Sequence, residues 1–168
     1  MKKVAKFSKV SKMQFIKDYV NVFGTDNVED VYSKYEKISL PKRGTKFSAG
    51  HDICTPFDAE VNPGEKFMIP TGLRCEMDEG YAMLIFPRSS LGIKRGMMIS
   101  NTVPVVDADY FHADNEGHIF INIKNNSDSV LKLKAGEKIV QAVFVPFGVA
   151  DDEEVTTERT GGIGSTGK

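Results

Sequence analysis

The hydrophobic rhythm of the chain changes near Ile38. Before that point apolar residues recur at helical spacing. Met13, Ile16, Val20 and Phe23 predict an amphipathic helix that opens on Ser11, with Gln14 three residues on as a capping box, and stops at Gly24. Val28, Val31, Tyr32 and Tyr35 predict a second helix, starting near Asp26 with Glu29 in its first turn. Both stripes read as packing surfaces. Ahead of them, the weak alternation from Val4 to Val10 allows one strand.

After Ile38, short β-rich runs are separated by Pro-Lys-Arg-Gly, Asn-Pro-Gly-Glu, Asp-Glu-Gly, Asn-Asn-Ser-Asp and Ala-Gly-Glu-Lys, the punctuation of an all-β barrel or sandwich. Strands are expected over 67–69, 81–86, 97–99, 119–123, 130–133 and 139–147, which leaves little room for helices. Residues 101–110, N-T-V-P-V-V-D-A-D-Y, form the expected centre of the site. Met97 to Ile99 lead in and Val103, Val105 and Val106 follow, as in a strand pair, and Pro104 suits an edge because it lacks a backbone donor. Taken by themselves these ten residues also fit a turn that merely ends a strand.

Composition narrows the function classes. A chain of 168 residues with 40 % apolar content suits one domain with its own core. A formal net charge of -1 gives no footprint for nucleic acid, and Lys2, Lys3, Lys6, Lys9 and Lys12 read as a solvated basic face. Cys54 and Cys75 are too isolated for a zinc pattern, and His51, His112 and His118 do not stand at zinc-ligand spacings. With no apolar run of membrane-spanning or signal-peptide length, a cytoplasmic protein without a membrane partner is expected.

Three further stretches carry chemistry. Pro87-Arg88-Ser89-Ser90-Leu91-Gly92 follows a strand and offers a guanidinium, two hydroxyls and backbone donors, a set that grips phosphate oxygens; Arg88 could equally serve a structural ion pair. Gln141, at the end of Gly136-Glu137-Lys138-Ile139-Val140-Gln141, adds a polar donor on a strand. The tail R-T-G-G-I-G-S-T-G-K supplies Arg159, Gly162, Gly164, Ser165 and Thr166 as a glycine-rich anion cradle, without the lysine and following helix of a P-loop. Its composition by itself fits disorder, and the acidic run at 151–154 ahead of it reads as solvated.

In order, these stretches resemble the five motifs of the homotrimeric dUTPases. Ala49-Gly50-His51-Asp52-Ile53 is similar to the first, Pro87 to Gly92 to the second, Val105 to Tyr110 to the third, Gly136 to Gln141 to the fourth and Arg159 to Gly167 to the fifth. The resemblance implies a jelly-roll-like β domain over 1–150, with 11–36 as inserted helices, and an arm over 151–168 that closes on a neighbouring subunit's site. It implies a homotrimer that hydrolyses dUTP to dUMP and pyrophosphate with Mg2+, supplying dUMP for dTMP synthesis and keeping uracil out of DNA. Asp107 then matches the general base that activates water for attack at the α-phosphorus, while Arg88, Ser89, Ser90 and Gln141 match phosphate ligands. Asn101 matches the side chain that assists uracil recognition, and Tyr110 the aromatic beneath deoxyribose, with a core tyrosine as its alternative. The metal is expected to be held mainly by phosphates and water, with Asp52 in an outer-shell role.

The pattern departs from the family in places. Ile163 stands where the tail usually carries an aromatic, His51 where tyrosine is usual and Pro104 where glycine is common. The residues 111–116 lengthen the connection after Tyr110, and Asn115, Glu116 and His118 receive no role. A dCTP deaminase of the same fold would need a glutamate where Asn122 stands. A regulatory trimer that binds a protein partner through the inserted helices is the remaining alternative.

Overall fold

The computed structural model describes residues 2–25, 27–151 and 161. Strand β1 (Ala5–Lys9) leads into helices α1 (Lys12–Phe23) and α2 (Val28–Glu36). Strands β2 (Lys42–Arg43), β3 (His51–Cys54), β4 (Ala59–Val61), β5 (Lys66–Pro70), β6 (Leu73–Met77) and β7 (Tyr81–Pro87) follow. A short helix, α3 (Ser89–Arg95), precedes β8 (Met97–Ile99) and β9 (Val105–Val106); a 3-10 turn, η1 (Ala108–His112), precedes β10 (Phe120–Asn125), β11 (Leu131–Leu133) and β12 (Lys138–Pro146).

The strands pair antiparallel in the orders β2-β3-β12-β7-β9, β5-β10-β8, β1-β6 and β11-β4. Alternation explains why. In β10, Ile121, Ile123 and Asn125 point inward while Phe120, Asn122 and Lys124 lie between core and solvent. Ile53, Met83, Ile85 and Ile139 from one sheet and Ile69, Ile121 and Ile123 from another belong to the same buried core. The result is a mostly β, jelly-roll-like sandwich; among the described residues no sheet closes into a barrel. No helix among them is long and apolar enough to cross a membrane.

The N-terminal helices form where the capping residues predict, but α1 buries a different face. The Ser11 hydroxyl accepts from Gln14 N–H at 3.1 Å, and Gly24 closes the helix with a left-handed φ of 64°. Met13, expected in the apolar stripe, is 82 % exposed, whereas Phe15 is fully buried and Tyr19 nearly so. The aromatic volume decides the orientation. Phe15 meets Tyr19 and Tyr35 at ring distances of 5.9 and 5.7 Å, and Tyr19 stands edge-on to Phe57 at 5.3 Å. The polar residues Gln14 and Asp18 share that buried face. In α2 the cap is Asn27, whose side chain accepts from Asp30 N–H; Val31 and Tyr35 are buried, while Val28 and Tyr32 are exposed.

Two expectations for the β region are corrected. α3 lies in the region expected to leave little room for helices, and it forms because Leu91 N–H and Gly92 N–H both find Arg88 C=O. The strands flanking 101–104 do not pair with each other: β8 pairs with β10, and β9 with β7. The segment is a corner between two sheets. Ser100 N–H donates to Asn122 C=O at 2.8 Å on one side and Ile85 N–H to Pro104 C=O at 3.1 Å on the other, with Thr102 at φ 68° making the bend. Pro104 still fits, because β9 is an edge strand.

Replacing Phe15 with alanine should lower the free energy of unfolding by about 3–5 kcal/mol, whereas Met13→Ala should change it by less than about 0.5 kcal/mol. Urea unfolding at a fixed protein concentration measures both, and equal losses would contradict the observed helix face.

Candidate active site

Two neighbouring strands bring polar side chains opposite each other, beside a third that leads into Arg88. The pairing places Asp52 on β3 opposite Gln141 on β12, and Gln141 opposite Phe86 on β7. Gly50 makes room for Gln141: a Cβ there would stand 2.3 Å from Gln141 Oε1, closer than any real contact. A glycine at position 50 is thus needed for the Gln141 amide to lie where it does.

Asp52, 8 % exposed, holds two cations. One oxygen pairs with the Arg88 guanidinium and the other with Lys138 Nζ at 2.9 Å. Burial by itself would push the Asp52 carboxyl up; the hydrogen bonds and charges of Lys138 and Arg88 outweigh it and hold the group below its ordinary range. With one oxygen on its guanidinium, Asp52 orients Arg88. About a third of the Arg88 side chain, 34 %, remains accessible, so the fork can present its other donors to an anion.

Arg88 stands at the junction of β7 and α3. Its N–H donates to Ile139 C=O at 3.2 Å, which ties the junction to β12, and Ser89 and Ser90 follow as exposed residues in the first turn of α3. No side-chain hydrogen bond from the Arg88 position caps that helix, and first-turn N–H groups have no partner within a helix. Arg95 anchors the other end through Glu137 at 2.5 Å and through Lys132 C=O. Guanidinium, hydroxyls and strand amide thus border one rim.

The remaining predicted residues lie elsewhere. Asp107, partly buried, occupies the cap position of η1 with its C=O accepting from Tyr110 N–H at 3.2 Å. Tyr110 is only 7 % exposed; its hydroxyl donates to His118 C=O at 2.7 Å and accepts from Asn115 Nδ2 at 2.9 Å. Asn101 is exposed at the sheet corner. Register gives the separation. Val106 pairs with Met83, so the chain at Asp107 is already moving away from Pro87 along β7. Arg88 lies five residues beyond Met83 in the opposite direction, so the two backbone positions are on the order of 20 Å apart at ~3.3 Å per residue. A single chain therefore presents a cationic rim and a carboxylate at opposite ends of one strand.

Sequence reasoning missed Lys138 as the second partner of Asp52, although it lies inside the fourth motif. It also left Asn115, Glu116 and His118 without a role; the structure shows all three fastening the segment that carries Tyr110. The sequence signal for these was the polar run 114–118 directly after the candidate site. Arg159, Gly162, Ile163, Gly164, Ser165 and Thr166 lie outside the described residues.

Known proteins resemble this chain in sequence and fold. A family model described as dUTPase matches residues 36–167, so β1 and α1 precede the matched stretch. The deoxyuridine 5'-triphosphate nucleotidohydrolase of Lactococcus lactis is 44 % identical over 143 residues, covering 82 % of this chain and 95 % of that protein. Its counterpart from Paraburkholderia xenovorans is 39 % identical over 137 residues, 77 % and 89 % of the two chains. Among solved structures, the dUTPase of Streptococcus mutans superposes with a TM-score of 0.67 at 36 % identity, over 86 % of this chain and 98 % of that one. A variant dUTPase of phage phi11 of S. aureus, known for a structural Mg(II) ion, has the same fold: TM-score 0.64 at 23 % identity, over 92 % and 98 %.

The Asp52 clamp predicts a pH dependence. A carboxyl held below its unfolded value of about 3.9 contributes stability that is complete above that pH and is lost as pH falls through the depressed folded value. The stability advantage of the native protein over Asp52→Asn should be constant from about pH 5 to 7 and shrink toward pH 3. Thermal unfolding of both proteins across that range measures it, and a constant difference throughout would contradict the clamp.

Proposed function

This chain belongs to the dUTPase family, and from that membership we propose that it hydrolyses dUTP to dUMP and pyrophosphate at a site completed by another copy of itself. The observation that carries the second half is the separation of Asp107 from Arg88 along β7. One α-phosphorus cannot meet a base and a phosphate clamp about 20 Å apart, so the clamp of one chain works with the Asp107 of a neighbour, in a homotrimer.

Each residue then has a task. Arg88, oriented by Asp52, takes phosphate oxygens in its planar fork, and Ser89, Ser90 and Gln141 add hydrogen bonds that fix the triphosphate for in-line attack. Asp107 orients a water and accepts its proton as oxygen approaches the α-phosphorus. Among the described residues no three of His, Cys, Asp and Glu cluster as a metal cage, so the donor set suits an ion carried on the substrate's own phosphates. Mg2+ so bound would offset charge on the leaving pyrophosphate.

Selection falls to the corner and to Tyr110. Asn101 and the backbone of 101–106 offer donors and acceptors to the uracil edge, where cytosine would leave them mispaired. Tyr110, tied down through its hydroxyl, makes a rigid wall beneath the sugar that has no room for a 2′-hydroxyl. The domain 1–150 forms the body, with 11–36 as its helical insertion; the arm 151–168 brings Arg159, Gly162, Gly164, Ser165 and Thr166 over the phosphates and Ile163 over the base. Such an enzyme would act on the nucleotide pool of the cytoplasm. Asn122, where a deaminase would need its glutamate, instead accepts from Ser100 Oγ at 3.2 Å and secures the corner.

Pyrophosphate release should occur with dUTP and Mg2+ and be far slower with dCTP, dTTP and UTP. Asp107→Asn should keep dUTP binding and lose roughly 100- to 10,000-fold in turnover; full turnover by that variant would contradict the base assignment.

A further inference from the structure

The inserted helices are joined to the sugar wall by a buried polar relay. Asp18 on α1 places Oδ2 2.8 Å from Gln14 Nε2 and 2.6 Å from His118 Nδ1. His118 is fully buried, and its Nε2 accepts from Gly72 N–H at 2.8 Å. That acceptance fixes the tautomer: the ring proton sits on Nδ1 and is donated to Asp18. The carbonyl of the same His118 receives the Tyr110 hydroxyl. Outside this relay, Glu116 accepts from Ser11 N–H at 2.7 Å and from Ser11 Oγ at 2.6 Å, so the entry to α1 grips the same loop. The loop turns tightly through Glu116 at φ 59° and Gly117 at φ 69°, where a Cβ on Gly117 would stand 2.7 Å from Tyr110 C=O. Arg74 supports it from below, donating to Phe111 C=O at 2.7 Å.

We propose that Asp18 is a positioning residue for Tyr110, acting through His118, so that the helical insertion sets how strictly deoxyribose is preferred to ribose. This rests on the reading of Tyr110 as the wall beneath the sugar. Without a carboxylate at position 18 the imidazole loses the partner that holds its orientation, the backbone at His118 relaxes, and the Tyr110 ring is anchored at a shifted point. A wall displaced by a fraction of an ångström admits a 2′-hydroxyl more readily and holds deoxyribose less well.

The test is the ratio of kcat/KM for dUTP to kcat/KM for UTP, which does not depend on how much of a preparation is folded. Asp18→Ala should lower the ratio about tenfold, while Asp18→Asn, whose amide oxygen can still accept from Nδ1–H, should restore most of it. If Asp18→Ala does not fold, Glu116→Ala, which frees the same loop from Ser11 near the surface, should lower the ratio as well. Native protein that hydrolyses dUTP and depends on Asp107, alongside folded variants with an unchanged ratio, would overturn the positioning role alone. Native protein without dUTP hydrolysis would overturn the reading beneath it.

Discussion

The register of β7 is the constraint on which the rest of the site depends. Along one edge it pairs with β12 over its whole length and runs on into Arg88; along the other edge Met83 and Leu84 pair with β9, whose chain runs the opposite way and reaches Asp107 one residue after Val106. Antiparallel pairing with a period of two leaves little freedom to slide, because a one-residue slip would turn Met83 and Ile85 out of the core. The distance between clamp and carboxylate is therefore built into the sheet. Folding gathers Asp52, Gln141 and Arg88 into a pre-oriented rim, and in the proposed reading association brings Asp107 to it. The Asp52 clamp serves the same end: an arginine held by a buried carboxylate meets its ligand with less conformational entropy to lose.

A second polar arrangement, the Asp18 relay, explains how the N-terminal helix pair is carried at little cost to the β core. Burying a carboxylate and an imidazole is unfavourable unless every lone pair and proton finds a partner. Here Gln14 and His118 both meet Asp18 Oδ2, Gly72 N–H meets the other ring nitrogen of His118, and Phe15 packs beside the imidazole with ring centroids 6.1 Å apart. Aromatic burial provides the driving force for docking, while the polar contacts fix where the helix docks. The connection after Tyr110 is thus the socket for α1.

Much of this was legible in the sequence, for physical reasons that differ from residue to residue. Ser11, Gly24 and the long alternating strands follow local rules, so the first helix and strands such as β5, β7 and β10 stand close to where they are expected. The face of α1 was not legible, because the true apolar line through Phe15 and Tyr19 is flanked by Gln14 and Asp18, whose burial makes sense only beside His118, 100 residues away. β6 alternates Leu73, Cys75 and Met77 inward, but charged Arg74 and Glu76 between them kept it from standing out. The corner at 101–104 reads as a hairpin because the sequence shows two strands and a turn, and which strands they pair with is decided by distant partners. Arg88, Gln141 and Asp107 were found by the order of their motifs. That two of them meet on one rim and the third does not is a property of the sheet.

The measurement that tests the central claim most directly is complementation between two inactive variants. Asp107→Asn and Arg88→Ala proteins, each inactive by itself, would be unfolded together, refolded as a mixture and assayed for pyrophosphate release from dUTP. If each site takes its clamp from one chain and its base from another, about a quarter of the sites in a random mixture carry both intact groups, and activity should return to about that fraction of the native value. If one chain supplies both groups, every site retains a defect and no activity returns, which would contradict the divided site.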